Sequence, residues 1–427
     1  MSEKQPRILV VGVNAWNSEN GSTWPFLLKK YNSSNVACVY MRDEIPESSV
    51  CSRYFSISEN RVIKSIFNRK IKTGRQIYVE DCDINAKDIN EHNERYQQMR
   101  KKRNYLLLFA RELVWKLGKW KTAELNEFID NFKPDIILYA MTTNIYHCNL
   151  IEYAIKRTGA KAIGYIWDDT FTYKQHDDLG YKTYRFFQRR ALKKLAKKTE
   201  RFFAISDMTK KEADKFFGID SVVLTKPLYG EPVVTYKDFK EPINAVYTGN
   251  LLIGRDKSLA RIVKAAKNIN RNGIKIKIDI YTRTDLSDEI EKQLKCEYCE
   301  VHSVVPQEQV FEIQRKSDLM LFLEDIDGPD AKVSRLSFST KITDYLSSGK
   351  CIFAVGHKET APMQYFINND AAVIASDDKE IEEKLSMLVN NPELLVKYAE
   401  NARDIGIKNH NEEKILNTFD TVIKSVI

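Results

Sequence analysis

The chain is expected to fold into two α/β domains, each a doubly wound, Rossmann-like parallel sheet, facing one another across a cleft. Three observations carry this expectation. At 427 residues the chain is too long for one compact core. Short apolar runs alternate with helical patterns along most of its length, as in strands joined by crossover helices. The polar stretch 227–242 holds Pro227, Pro232 and Pro242 and divides the chain near its middle. The first domain is therefore read as residues 1–235, with a helical insertion at about 59–132, and the second as residues 236–408.

Taken in order, Arg-Ile-Leu-Val-Val-Gly at 7–12 is a first strand. The polar run Asn-Ser-Glu-Asn-Gly-Ser-Thr at 17–23 is a loop leading into a helix from about Trp24. A flexible, amide-rich loop at the carboxyl end of a strand makes Gly21 and Ser22 candidates for ligand contact, against the plainer reading of a tight turn. Residues 59–104 are polar and weakly periodic, and a long helical pattern follows from about Asn104 to Phe132. Pro134 precedes a strand ending at about Tyr139. The next strand, from Ala160, ends in two carboxylates, Asp168 and Asp169. A parallel sheet places its ligands just past the carboxyl ends of its strands. One of these acids is therefore a candidate to orient or deprotonate a hydroxyl, the alternative being a cap for the turn before Thr170. A strand at 201–206 ends in Ser206, which caps a helix at 207–217 that closes at Gly218. Further strands are expected near 245–249, 276–281, 300–304, 319–323, 351–355 and 371–375.

Two segments of the second domain suit phosphate. The strand Asn-Ala-Val-Tyr-Thr-Gly-Asn at 244–250 ends in Gly249 and Asn250. A loop carrying Arg255 and Lys257 follows, and Ser258 is read as the cap of a helix running to about Asn270. The second segment is Leu-Ser-Phe-Ser-Thr-Lys-Ile-Thr-Asp-Tyr-Leu-Ser-Ser-Gly-Lys at 336–350. Exposed amides at the first turn of a helix attract anions, Ser337, Ser339 and Thr340 add hydroxyl donors, and Lys341 adds full charge. Asp344, one turn on, is placed to accept the two hydroxyls of a ribose. A nucleoside diphosphate is the ligand these residues suit; read plainly, the segment is an amphipathic helix with a Ser/Thr cap.

With both segments in place, the region from about 243 to 390 resembles the donor half of a GT-B glycosyltransferase, and more narrowly the retaining "group 1" bacterial enzymes that build surface polysaccharides. The resemblance implies that an Arg and a Lys after the first strand of the second domain neutralise the diphosphate of a nucleotide sugar. Lys257 matches the Lys, and Arg255 is the nearest Arg. It implies two acids separated by seven residues: Asp344 matches the second, while Leu336 stands where the first is expected. Glu324 and Asp325, at the end of the strand 319–323, are candidates for that missing role. The resemblance further implies that residues 409–427 form a last helix returning to the first domain. It implies transfer of a sugar from a nucleoside-diphosphate sugar, with no cofactor or metal, to a glycan or lipid-linked acceptor. Arg255 and Lys257 would stabilise the leaving diphosphate and Asp168 would serve the acceptor; Gly21, Ser22, Gly249, Asn250, Asp325, Ser339, Thr340, Lys341 and Asp344 would bind the donor. Rival readings are a metal-dependent transferase using Asp325-Ile-Asp327, a nucleotide-sugar epimerase of similar architecture, and a non-catalytic nucleotide-binding scaffold.

Composition bounds the rest. Hydrophobic residues make up 43 % and charged residues 30 %, ordinary for a globular enzyme. No apolar run approaches the roughly 18 to 20 residues that cross a bilayer, and the first residues lack the apolar core of a signal peptide, so a cytoplasmic location is expected. Seven scattered cysteines suit reduced thiols, and Cys296-Glu-Tyr-Cys299 has metal-ligand spacing without a second pair to complete it. The net charge of +8 is concentrated at 61–75, 100–103 and 185–201. Basic stretches with interleaved aromatics suit either a solvated helix face or an anionic membrane surface, which would place the protein peripherally on the inner face of the plasma membrane. No motif of a nucleic-acid-binding module appears.

Overall fold

The computed structural model describes residues 5–17, 23–78, 105–236 and 241–427. It has the expected class: two compact units, each built on a parallel sheet with helices between the strands. The first unit comprises Met1–Tyr173, Asp177–Leu224 and Leu416–Ile427; the second comprises Lys174–His176 and Thr225–Ile415.

The sheet of the first unit has eight strands in the order β4-β3-β2-β1-β5-β6-β7-β8. These are β1 (Ile8–Val11), β2 (Val36–Tyr40), β3 (Arg53–Ile57), β4 (Gly74–Ile77), β5 (Ile136–Ala140), β6 (Lys161–Ile166), β7 (Arg201–Ala204) and β8 (Val222–Val223). β1 and β5 are central and buried throughout, as strands covered by helices on both faces must be, so they read as unbroken apolar runs. β4 pairs antiparallel with β3 and its two middle residues, Arg75 and Gln76, are exposed, so it carries no apolar signal. The expected insertion at 59–132 thus contributes an edge strand to the sheet as well as helices.

The long helical pattern from 104 to 132 resolves into two helices, Tyr105–Leu117 and Ala123–Phe132. The break falls at Gly118, where an added Cβ would run into Val62 and the Val114 carbonyl. Thr122 then caps the second helix through its hydroxyl, 3.2 Å from the Leu125 amide. Ser206 caps the helix Asp207–Phe217, which ends on Gly218 at φ 71°, both as the sequence predicts.

The sheet of the second unit is parallel, with order β11-β10-β9-β12-β13-β14. Its strands are β9 (Ile243–Thr248), β10 (Ile276–Tyr281), β11 (Cys299–His302), β12 (Leu319–Leu323), β13 (Cys351–Val355) and β14 (Val373–Ala375). From β9 to β11 the chain builds outward in one direction, and from β12 to β14 in the other. β9 and β12 therefore lie side by side, Leu319 opposite Ala245 and Met320 opposite Val246. Where the direction of winding reverses, the loops leaving the two strands diverge and open a crevice at their carboxyl ends. Ile278, Leu321, Phe353 and their neighbours fill one face of this sheet, and Met320, Phe322, Tyr345 and Phe366 the other.

The helix after β9 begins earlier than expected. It spans Arg255–Ile269, with Gly254 at φ 72° as its N-cap. Ser258 is not a cap: it is buried within the first turn, where its hydroxyl donates to the Glu324 carbonyl at 2.7 Å. Cys296 and Cys299 are both free thiols.

Phe353 is fully buried at the centre of β13. Phe353→Ala is expected to lower stability by about 3–5 kcal/mol, read as an earlier transition in urea unfolding.

Candidate functional site

The carboxyl ends of β9 and β12 bring together a buried charged cluster. Arg255, first residue of its helix, turns back over the sheet: its Nε donates to the Leu323 carbonyl at 3.1 Å and its Nη2 to Glu324 Oε1 at 3.0 Å. Glu324 follows β12 directly, its side chain is 2 % exposed, and its amide donates to the Val355 carbonyl of β13 at 2.8 Å. Gly356 leaves room for it, since a Cβ there would sit 2.9 Å from the Glu324 Cβ. The second carboxylate oxygen, Oε2, is buried without a hydrogen-bond partner. Burial works against the charge on Arg255, but Glu324, together with Tyr247 and Tyr345, more than offsets it and raises the guanidinium's pKa.

Lys341 reaches the same region from the first turn of the helix Lys341–Ser348. Its Nζ donates to the Tyr247 hydroxyl at 2.7 Å and lies 4.3 Å from the centre of that ring; the Tyr247 hydroxyl donates in turn to the Asn250 carbonyl at 2.6 Å. The lysine passes so close to Gly249, at φ 133°, that any Cβ would overlap Nζ and Cε. Burial and the neighbouring Arg255 guanidinium depress the Lys341 ammonium to about 7, against the pull of Glu324 and Asp344. One turn further, Asp344 is pushed up to about 6 by burial, opposed by Lys226 and Lys341. At the helix start Thr340 is at the N-cap but makes no side-chain cap hydrogen bond; the Lys341 amide donates to Ser339 Oγ at 3.4 Å and the Ile342 amide to the Ser339 carbonyl at 3.1 Å. The plain reading of a Ser/Thr-capped helix therefore does not describe it.

Arg255, Gly249, Lys341 and Asp344 are thus brought into one neighbourhood, with Ser339, Thr340 and Asn250 at its edge. Lys257 is not. It is two residues past Arg255, about 200° around the helix, and lies exposed in an outer groove with Arg261 and Lys264. Asp325 is turned to a loop. Its carboxylate is buried and accepts from the amides of Asp330 at 3.1 Å and Ala331 at 3.2 Å, holding the turn into the helix Pro329–Ser334. Gly254 and Gly328 are packed against it. Its supposed metal partner Asp327 points elsewhere, paired with Arg261 at 2.9 Å. Leu336, where the resemblance expects an acid, is fully buried in the core.

In the first unit, Asp168 follows β6 and is exposed, its Oδ1 accepting from the Asp169 amide at 2.8 Å. Asp169 is the turn residue of the pair: it is buried and accepts from the Thr172 amide at 2.9 Å and from the Thr172 hydroxyl. Gly21 and Ser22 lie outside the described residues. Sequence reasoning missed Tyr247 and Lys226. Tyr247 carried a weak signal, an aromatic two residues before the glycine of a strand end; Lys226 carried none, since its proximity to Asp344 is purely tertiary.

Residues 256–420 match the family described as "Glycosyl transferase-like". No curated protein matches the chain by sequence. Among solved structures, Anabaena HepE in complex with UDP superposes with a TM-score of 0.64 at 9 % identity, over 98 % of this chain and all of that one. Trehalose 6-phosphate synthase from Burkholderia multivorans does so at 0.61 and 8 %, over 99 % and 97 % of the two chains. TarM does so at 0.61 and 11 %, over 97 % and 98 %. The family match covers residues 256–420, less than half of the chain, and the structural matches show a shared two-unit α/β fold.

Arg255→Ala strands the buried Glu324 charge and is expected to destabilise the protein by about 3–5 kcal/mol. Adding Glu324→Ala to it should cost less than the sum of the two single changes, as a double-mutant cycle in urea would show.

Proposed function

We propose that the protein transfers a sugar from a nucleoside-diphosphate sugar to a hydroxyl of a glycan or lipid-linked acceptor, with retention at the anomeric carbon and without a metal. The observation that carries this reading is the pair of half-buried cations, Arg255 and Lys341, converging at the carboxyl ends of β9 and β12 beside a glycine turn and a helix start without a side-chain cap. Departure of a nucleoside diphosphate builds negative charge on its phosphates. Preorganised amides of the helix Lys341–Ser348, with Lys341 and Arg255, stabilise that charge where it develops. Two side-chain cations supply the neutralisation that a divalent ion supplies elsewhere, which is the support for a metal-free reaction. Asp344 accepts the ribose hydroxyls. Glu324, with an oxygen to spare, holds Arg255 and replaces the acid absent at Leu336. Asp168 serves the acceptor hydroxyl. The donor base is taken as uracil first, since HepE is known with UDP and with UDP and glucose.

The test is calorimetric titration and thermal shift with UDP, GDP, CMP and ADP and their sugars, followed by transfer assays. Binding of one series with turnover onto an acceptor supports the reading. Epimerised donor in the absence of acceptor would make the protein an epimerase, and binding without turnover a scaffold. Lys341→Ala should weaken donor binding by roughly ten- to a hundredfold, while the outward Lys257→Ala should stay within about fivefold of the parent. Asp168→Ala should abolish transfer and leave donor binding intact.

The pH profile has a sign on each side. Asp344 accepts hydroxyls well only when ionised, above about 6. Lys341 meets the diphosphate best when protonated, below about 7 in the free protein, and binding above that pH must take up a proton. Affinity for a nucleotide sugar should therefore peak between these values and fall on both sides. A flat profile from pH 5 to 9 would remove both roles.

A further inference from the structure

Three neighbouring helices of the first unit turn large apolar side chains to solvent. On the helix Tyr105–Leu117, Leu106, Leu113 and Leu117 are 78, 54 and 47 % exposed, and with exposed Ala110 they fall at helical spacing on one stripe. On the helix Leu179–Ala196, Leu179 is 80 % exposed and Phe186 and Phe187 about half. Phe187 packs edge-on against Phe109 at 6.1 Å and against Phe186 at 5.5 Å, which joins the two apolar surfaces. The helix Glu59–Phe67 adds Ile63 and Phe67, the latter 88 % exposed, and is tied in where Arg69 donates to the Leu117 carbonyl at 2.9 Å.

The charges around this surface are mostly positive, the exposed Asp177 and Asp178 before Leu179 being the acids at its edge. Residues 179–198 include no acid, and Lys182, Arg190, Lys193 and Lys197 are exposed there; Arg61, Lys64, Arg69 and Lys70 are exposed around the helix Glu59–Phe67. The two acids on these helices are spent inward. Glu59 holds Arg111 and Trp115. Glu112 accepts from the amides of Ile145 and Tyr146 and from the Tyr184 hydroxyl. Among the described residues of the chain, no helix is long and apolar enough to cross a membrane.

We propose that this face docks the protein on an anionic lipid bilayer, the leucine and phenylalanine side chains entering the headgroup boundary while the lysines and arginines meet lipid phosphates. Apolar side chains interleaved with an excess of cations match an anionic lipid surface on both counts, whereas a soluble acidic partner would match only the charge. The purpose of docking, access to a lipid-linked acceptor, rests on the transferase reading; the binding itself does not.

The experiment is co-sedimentation of the full chain with phosphatidylcholine vesicles, with and without phosphatidylglycerol, at low and high salt. Binding is expected only to the anionic vesicles and should weaken at high salt. The pair Lys182→Glu and Arg190→Glu, and separately the pair Leu113→Gln and Phe186→Ser, should each lower it by roughly tenfold or more. Thermal unfolding and nucleotide binding should stay as in the parent, which separates lost docking from lost folding. No sedimentation, equal binding to neutral vesicles, or indifference to both pairs overturns the proposal. So does a parent dimer in light scattering that Leu113→Gln with Phe186→Ser dissolves, because the face would then join two copies. If nucleotides fail to bind the parent, the transferase reading falls while the vesicle result still decides this one.

Discussion

The ion pair of Arg255 and Glu324 is the constraint around which the second unit's site is arranged. A guanidinium brought under the sheet's end would be too costly without a counter-charge, and Glu324 supplies it from the adjacent strand. The pair ties the end of β12 to the helix that follows β9. Burial, and then the positive charge of the fixed Arg255, push Lys341 toward neutrality. The proposed anion site therefore depends on Arg255, which stays charged beside Glu324, and on Lys341 taking up a proton when an anion arrives.

The glycines of this region follow from the same crowding. Gly249 exists because Lys341 lies across it, Gly254 and Gly328 because Asp325 is packed against them, and Gly356 because Glu324 needs its space. Each is a place where the backbone gives way to a charged side chain. The two acids that follow β12 consequently divide their work. Glu324 turns toward Arg255 and the crevice, while Asp325 turns the other way and anchors a loop.

Much of the fold was legible because its cause is local. The strands of the second unit, the cap at Ser206 and the stop at Gly218 all appear near where apolar run, cap chemistry and left-handed glycine put them. β4 was not legible, because Gly-Arg-Gln-Ile joins the sheet through backbone pairing with β3 and shows no pattern of its own. The break near Gly118 was missed because the apolar stripe runs through it, and only the nearness of Val62 shows why the helix stops.

At the site the division is similar. The sequence by itself determined the two parallel-sheet domains, the phosphate-suited helix start at Lys341 and the glycine turn at Gly249, since these depend on residue type and spacing along the chain. Only the tertiary structure decided which charges meet. Arg255 and Lys257 are two residues apart, yet the 100° step of a helix sends one under the sheet and the other into solvent. Glu324 and Arg255 are 69 residues apart, yet strand order puts them 3.0 Å from one another. Linear spacing encodes what an element is; which side chains share a site is set by how the strands are ordered, and the sequence holds that only through the folded packing.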